Sequence, residues 1–211
     1  MSHNKKSSKR LNSTKEYIDV LSNKHSKLNI IRLDLSYEKP HSQTTTLEEA
    51  NNDFNHMLNN ARSKPSIFKH KVGYVCKREH TEDKGIHLHA MVIFDGQKVQ
   101  KSAFKADQIG KYWEEITEGK GSYHNCHRNK YDRNGIGILE HNDSDKRKIL
   151  YDNVIPYFCK EEQDVEAMKN SPKDRAFTRG TLPKKEDKKG RPRGCGYNKM
   201  PKKGIIKDKK I

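Results

Sequence analysis

Two apolar segments joined by a short polar turn constrain the fold of this chain more than any other feature. Residues 72–79 and 86–94 are predicted strands, and the polar stretch from Thr81 to Gly85 is the turn of a β-hairpin between them. The strands of a hairpin are antiparallel, and helical patterns precede and follow this one. The sequence therefore predicts an α+β fold in which helices pack against a central antiparallel sheet.

The other elements follow from periodicity and capping signals. Thr46 and Glu49 form a capping-box pattern ahead of apolar residues at helical spacing, which predicts a helix over 46–62. We expect a sheet of about five strands with the helices mainly on one face. The remaining predicted elements are strands at 28–37 and within 121–141, and helices at 102–118 and 145–164.

Positive charge is concentrated at the two ends of the chain. The 211 residues include 44 lysines and arginines against 28 acidic residues, a formal charge of +16. Residues 1–15 contribute +5 and residues 184–211 contribute +9, so the middle is nearly neutral. We therefore expect a basic N-terminal extension over 1–27, a globular domain over 28–183 and a C-terminal tail over 184–211, and we expect the basic segments 1–15 and 184–211 to be disordered.

The basic tails favour a nucleic-acid partner, because exposed lysine and arginine side chains bind backbone phosphates. Tails that only aid solubility are the alternative. Six basic side chains of the C-terminal tail are the predicted DNA contacts: Lys184, Lys185, Lys188, Lys189, Arg191 and Arg193.

Other bulk features concern the cellular compartment. The longest apolar run, Ala90 to Phe94, is far shorter than the ~18 residues of a membrane-spanning helix, so no membrane partner is expected. No secretory signal pattern is present at the N-terminus, and the four cysteines form no CxxC pair. These features favour a cytoplasmic protein.

Two histidines on the second strand of the hairpin are candidate metal ligands. Residues two apart on a strand face the same side, so His87 and His89 project together. A third ligand depends on the register of the hairpin. Glu79 shares their face if it lies opposite His87, whereas a shift of one residue brings His80 there instead. A carboxylate–imidazole set with open positions suits Mg²⁺ or Mn²⁺ acting on a phosphate.

A tyrosine about 70 residues later is the second candidate for chemistry. If Pro156 lies in the first turn of a helix, Tyr157, Lys160 and Glu161 share one face. A tyrosine hydroxyl needs a nearby cation or a metal to act as a nucleophile near neutral pH. A packed tyrosine and a solvated lysine on an amphipathic helix are the alternative.

The order of these motifs resembles a known superfamily. His87-Leu88-His89 on a strand, followed by the segment from Val154 to Lys160, resembles the motif pair of rolling-circle replication initiators with the HUH (His, bulky apolar, His) motif. Within it the chain is most similar to the inovirus gene-II-type replication proteins, also described as the YagK/YfjJ C-terminal domain family. The resembling stretches lie within residues 28–183.

The resemblance implies the Rep nuclease fold and a specific activity. His87, His89 and Glu79 would bind Mg²⁺ or Mn²⁺, Tyr157 would attack a phosphate of single-stranded origin DNA to leave a 5′-phosphotyrosine link, and Lys160 would stabilise the charge that develops. Glu161 stands where a second tyrosine would be needed, so a single catalytic tyrosine is expected, and we hypothesise that Glu161 activates water or another strand end in the closing step.

The resemblance also implies biological partners. The enzyme would initiate rolling-circle replication of a phage, prophage or plasmid in a bacterial cytoplasm, with a host helicase and polymerase. The alternatives are a relaxase or transposase of the same superfamily, or a nucleic-acid-binding module without catalytic activity.

Overall fold

The structure is a computed structural model that describes residues 2–160, 165, 168–171 and 174–183. Six strands form one antiparallel sheet. The strands are β1 Lys27–Tyr37, β2 Lys71–Thr81, β3 Gly85–Asp95, β4 Gly121–Asn125, β5 Gly137–Glu140 and β6 Phe177–Arg179. The helices are α1 Ser2–Lys24, α2 Leu47–Asn59, α3 Pro65–Phe68, α4 Ser102–Ile116, α5 Ser144–Ile149 and α6 Ile155–Cys159, with a π-helical turn at Leu150–Val154 and 3₁₀ turns at His41–Gln43, Asn60–Arg62 and Cys126–Arg128.

The sheet confirms the predicted α+β class and the predicted hairpin. Its strand order is β4-β1-β3-β2-β6, with β5 also paired to β1, and every pairing is antiparallel. The sixth strand, β6, was not among the predicted elements because its three residues are too few to show a period. The predicted helix over 46–62 begins after Thr46, and the capping box with Glu49 is formed.

Helices cover both faces of the sheet, so the expectation of helices mainly on one face is wrong. Every residue of β3 from Gly85 to Phe94 is buried, which explains why this strand is apolar on both faces except at the two histidines. Leu88 and Val92 pack in the cluster that contains α2 and α4. Met91 and Ile93 pack in the cluster that contains α1 and α6, which is therefore the layer on the histidine face.

The N-terminal helix is part of the folded unit, and the prediction of a disordered N-terminal end is wrong. Tyr17, Ile18 and Leu21 of α1 are almost fully buried against the sheet. The lysines of this segment dominated the charge count, but the apolar side chains follow helical spacing and supply the buried face. The tail over 184–211, with its six predicted DNA contacts, lies outside the described residues.

Replacing Ile18 with alanine is expected to lower the free energy of unfolding by about 2–5 kcal/mol, because it leaves a cavity between α1 and the sheet. Denaturant titration followed by circular dichroism measures this change. Glu16→Ala, an exposed position on the same helix, is the control and should change stability by less than about 0.5 kcal/mol. Equal stabilities of the two variants would contradict the packing of α1.

Trp113 belongs to the hydrophobic core. Its side chain is fully buried, and its Nε1–H donates to the Ser36 carbonyl at 3.1 Å. The helix that carries it ends before Gly119, whose φ of +78° is typical of a glycine that follows a helix. Among the described residues, no helix combines the length and the apolar character needed to cross a membrane.

Candidate metal centre

The hairpin register decides which side chain accompanies the two histidines. Glu79 lies opposite His87 in the β2–β3 pairing, and His80 lies opposite Ile86. Paired residues face the same side of a sheet, so Glu79 shares the face of His87 and His89 while His80 points to the other face. Of the two ligands that the sequence left open, the structure therefore places Glu79 in the group.

Glu79, His87 and His89 form a group that is able to hold a metal ion. One ligand atom from each of the three side chains lies within 4.8 Å of the others. Glu79 Oε2 lies 3.2 Å from His89 Nε2 and 3.5 Å from His87 Nε2, and the two imidazole rings are perpendicular. Within the part of the chain that the structure describes, this is the one such group of histidine, cysteine, aspartate or glutamate side chains.

Outer hydrogen bonds orient both imidazoles. His87 Nδ1 lies 3.2 Å from the Gly85 carbonyl oxygen, and His89 Nδ1 lies 2.7 Å from Asp34 Oδ1. Each bond engages Nδ1 and leaves Nε2 directed at the Glu79 carboxylate. Histidine ligands of metal ions commonly have this arrangement, with the second nitrogen bonded to a carboxylate or a carbonyl. The donor set therefore fits a divalent cation.

Charged and hydrogen-bonding neighbours shift the pKa values of Glu79 and His89. Burial favours the neutral form of Glu79, but hydrogen bonds from His87, His89 and Lys77 outweigh burial and hold the pKa of this carboxyl well below its usual range. Burial acts to lower the pKa of His89, but its bonds to Asp34 and Glu79 outweigh that effect and raise it. A proton on His89 and a metal ion compete for the same site, so metal binding is expected to release a proton.

Replacing Asp34 with asparagine is expected to weaken Mn²⁺ binding by about 10- to 100-fold, because the variant loses the carboxylate that fixes the His89 ring. Titration calorimetry measures the affinity. Asp53→Asn is a matched control, since Asp53 accepts a hydrogen bond from Tyr37 outside the group. Affinity that is unchanged in Asp34→Asn would contradict the orienting role of Asp34.

Tyr157 lies at the edge of this group, although 68 residues separate it from His89. Its hydroxyl oxygen lies 2.8 Å from His89 Nε2, and the two ring centroids are 4.8 Å apart. Pro156 is in the first turn of α6, as predicted, and α6 packs against β2 and α1. The structure thus brings together Tyr157 and the three predicted metal ligands.

Lys160 does not share a helical face with Tyr157. Helix α6 ends at Cys159, and Lys160 continues with an extended ψ of 143° as an exposed residue. The premise of a continuous helix is therefore wrong at this point, and a catalytic role of Lys160 stays a prediction. Glu161 lies outside the described residues, so its hypothesised role is also untested.

Two other cations flank Tyr157. Lys77 has a nearly buried side chain; its Nζ donates to the Tyr157 carbonyl at 3.2 Å, lies 5.3 Å from the ring centroid, and forms an ion pair with Glu79. The Arg32 guanidinium lies 4.9 Å from the same centroid. Arg32 forms no ion pair with a described carboxylate, and its Nε is buried without a hydrogen-bond partner among the described residues. Its positive charge is thus available to an anion.

Sequence reasoning missed Asp34, Arg32 and Lys77 as members of this site. Alternation along the strands places Lys77 on the face of Glu79, and Arg32 on the face of Asp34, so part of the signal was present. The missing information was the order of the strands. Asp34 reaches His89 only because β1 pairs with β3, in a register that places the two residues opposite each other.

The chain is thus an α+β protein with one antiparallel sheet. On that sheet, a histidine–glutamate group with an adjacent tyrosine forms a candidate metal centre. The sequence model of the YagK/YfjJ C-terminal domain family matches residues 1–180, so the chain belongs to that family. The matched range includes α1 and every residue of the site described above. Searches of the curated proteins and of the solved structures gave no match.

Proposed function

We propose that this protein is a rolling-circle replication initiator of the HUH type, which nicks and joins single-stranded DNA through Tyr157. The position of the Tyr157 hydroxyl, 2.8 Å from a nitrogen of the candidate metal group, is the observation that carries the proposal. A nucleophile is effective only within reach of the atom it attacks, and a phosphate bound at this group would lie beside Tyr157. The sequence motifs discussed above supply the reaction class.

The proposed reaction exchanges one phosphodiester for another. The Tyr157 oxygen attacks the phosphorus of a backbone phosphate, and the bond from phosphorus to the 3′ oxygen of the preceding nucleotide breaks. The phenol loses its proton, and the departing 3′ oxygen gains one from water. The products are a 5′-phosphotyrosine link and a free 3′-hydroxyl that is able to prime synthesis, and the reverse reaction joins strands.

Residues around Tyr157 match the needs of that reaction. Glu79, His87 and His89 would hold a divalent ion, which would supply Lewis-acid polarisation of the phosphate, and Mg²⁺ or Mn²⁺ would suit such a site. Lys77 and Arg32 place positive charge beside the Tyr157 ring, close to where negative charge would develop during the attack. Arg32, which forms no ion pair with a carboxylate of the described residues, is also placed to bind the phosphate.

The covalent intermediate gives a direct test. The full chain is incubated with single-stranded DNA from the mobile element that encodes it, with and without Mn²⁺, and the products are separated on a denaturing gel. We expect a protein–DNA adduct that appears only with the metal and disappears with a chelator. Absence of an adduct under all conditions would favour the alternative of a nucleic-acid-binding module without catalytic activity.

A further inference from the structure

A second basic site lies at the opposite end of the β2–β3 hairpin from the candidate metal centre. An open cavity of about 370 Å³ is formed by α3, the two residues between α3 and β2, the segment after β3 and the start of α4. Phe94, at the cavity end of β3, is seven positions beyond His87, so a rise of about 3.3 Å per residue places the cavity roughly 23 Å from the metal group. The side chains that matter here are Lys69, His70, Lys98, Lys101, Phe104 and Lys105.

The charge of this cavity has one sign. Among the residues that the structure describes, no aspartate or glutamate lines it. Lys105 is held by the fold, since its buried Nζ donates to the carbonyls of Ser66 and Ile67 at 3.0 and 3.2 Å. Lys69, Lys98 and Lys101 are exposed, and none of them forms an ion pair with a described residue. Three uncompensated ammonium groups around one concavity attract an anion with several charges.

Phe104 adds an apolar face among these lysines. Its side chain is 60% exposed, more than the two other exposed large hydrophobic residues among those described, Tyr131 and Leu182. One exposed aromatic residue is ordinary on a protein surface. An exposed ring beside several unpaired lysines is the arrangement by which proteins bind single strands, in which bases stack on aromatic rings and ammonium groups contact phosphates.

We propose that this cavity binds a segment of single-stranded DNA, with a base stacked on Phe104 and phosphates contacted by Lys69, Lys98 and Lys101. The choice of DNA rests on the proposed function, whereas the anionic character of the ligand follows from the cavity itself. Aspartate and glutamate side chains of an acidic peptide would pair with the lysines but have no flat ring to stack on Phe104. The site would hold the substrate strand at a distance from the bond that is cut.

The test measures binding apart from cleavage. Full-length Tyr157→Phe protein, in chelator, is titrated into a fluorescent oligothymidylate, which has no hairpin or origin sequence. Phe104→Ala in this background is expected to weaken binding by about 5- to 150-fold, the effect of losing one stacked base. Phe104→Tyr keeps the aromatic face and should retain the affinity. Leu182→Ala removes a similarly exposed apolar side chain outside the cavity and is the matched control.

The lysines are tested through salt dependence. Replacing both Lys98 and Lys101 with glutamine should lower the slope of log affinity against log salt by about one to two. The proposal is overturned if Phe104→Ala binds as tightly as its parent, or if Phe104→Tyr fails to restore binding. Polyglutamate competition gives a further test. The proposal is also overturned if the same polyglutamate concentration displaces the oligonucleotide from Phe104→Ala and from its parent, because Phe104 would then add nothing to DNA binding.

The proposed function and this inference fail separately. One outcome is that binding depends on Phe104 but the protein with Tyr157 intact forms no covalent adduct. This outcome would support DNA binding in the cavity and would reject the nicking activity. The opposite outcome is that Phe104→Ala forms the adduct as well as the parent and binds DNA equally tightly. This outcome would support the nicking activity and would reject DNA binding in the cavity.

Discussion

Replacing Tyr157 with phenylalanine is expected to lower formation of the protein–DNA adduct by more than about 10³-fold, because it removes the attacking oxygen. The ring still packs against His89, so the thermal unfolding midpoint and the affinity for Mn²⁺ should change little. Adduct formation is measured as a rate on denaturing gels, and Mn²⁺ binding by titration calorimetry. The combination of a lost adduct with retained metal binding distinguishes a nucleophile from a structural tyrosine.

Tyr151→Phe is the matched control. Tyr151 lies six residues earlier in the same helical segment; its hydroxyl donates to Asp19 Oδ1 at 2.5 Å, and the Lys15 carbonyl oxygen lies 3.3 Å away. The Tyr151→Phe variant therefore loses the hydrogen bonds of a tyrosine hydroxyl that does not contact the metal group. Tyr151→Phe should form the adduct normally. An adduct that persists in Tyr157→Phe would contradict the proposed mechanism.

Replacing His87 with alanine is the second change with a large expected effect. His87→Ala should lose more Mn²⁺ affinity than Asp34→Asn, for which we predict a loss of about 10- to 100-fold, because His87→Ala removes a ligand itself. His87 is preferable to the other two ligands as a test. Glu79 also pairs with the buried Lys77, and His89 also contacts Tyr157, so changing either one disturbs more than the metal.

The same variant should lose metal-dependent stabilisation. Ligands that bind only the folded state raise the unfolding temperature, so Mn²⁺ should stabilise the parent protein and leave His87→Ala unaffected. His80→Ala, adjacent to Glu79 but on the opposite face of the sheet, should respond to Mn²⁺ like the parent. Equal stabilisation of His87→Ala and the parent would contradict the assignment of the metal group.

Local patterns predicted the part of the site that lies on one hairpin. Side chains two positions apart on a strand face the same side of the sheet. The strand alone therefore places His87 and His89 on one face. The partner of these histidines depended on register, which sequence left open between Glu79 and His80. The pairing of Glu79 with His87 resolves that choice.

Features that depend on longer-range packing escaped prediction. Tyr17, Ile18 and Leu21 have the spacing of a buried helical face in α1. The positive charge of the nearby lysines nevertheless favoured the prediction of a disordered segment. Lys160 was placed on the face of Tyr157 by assuming a regular helix, whereas the chain passes through a π-helical turn and α6 ends at Cys159. Arg32 and Asp34 required the strand order itself.

Identification of the residue that carries the DNA tests the central claim most directly. The adduct formed with Mn²⁺ is digested with nuclease and protease, and the modified peptide is sequenced by mass spectrometry. The account predicts a nucleotide attached through its 5′ phosphate to Tyr157. A nucleotide on any other side chain, or one attached through a 3′ phosphate, would contradict it.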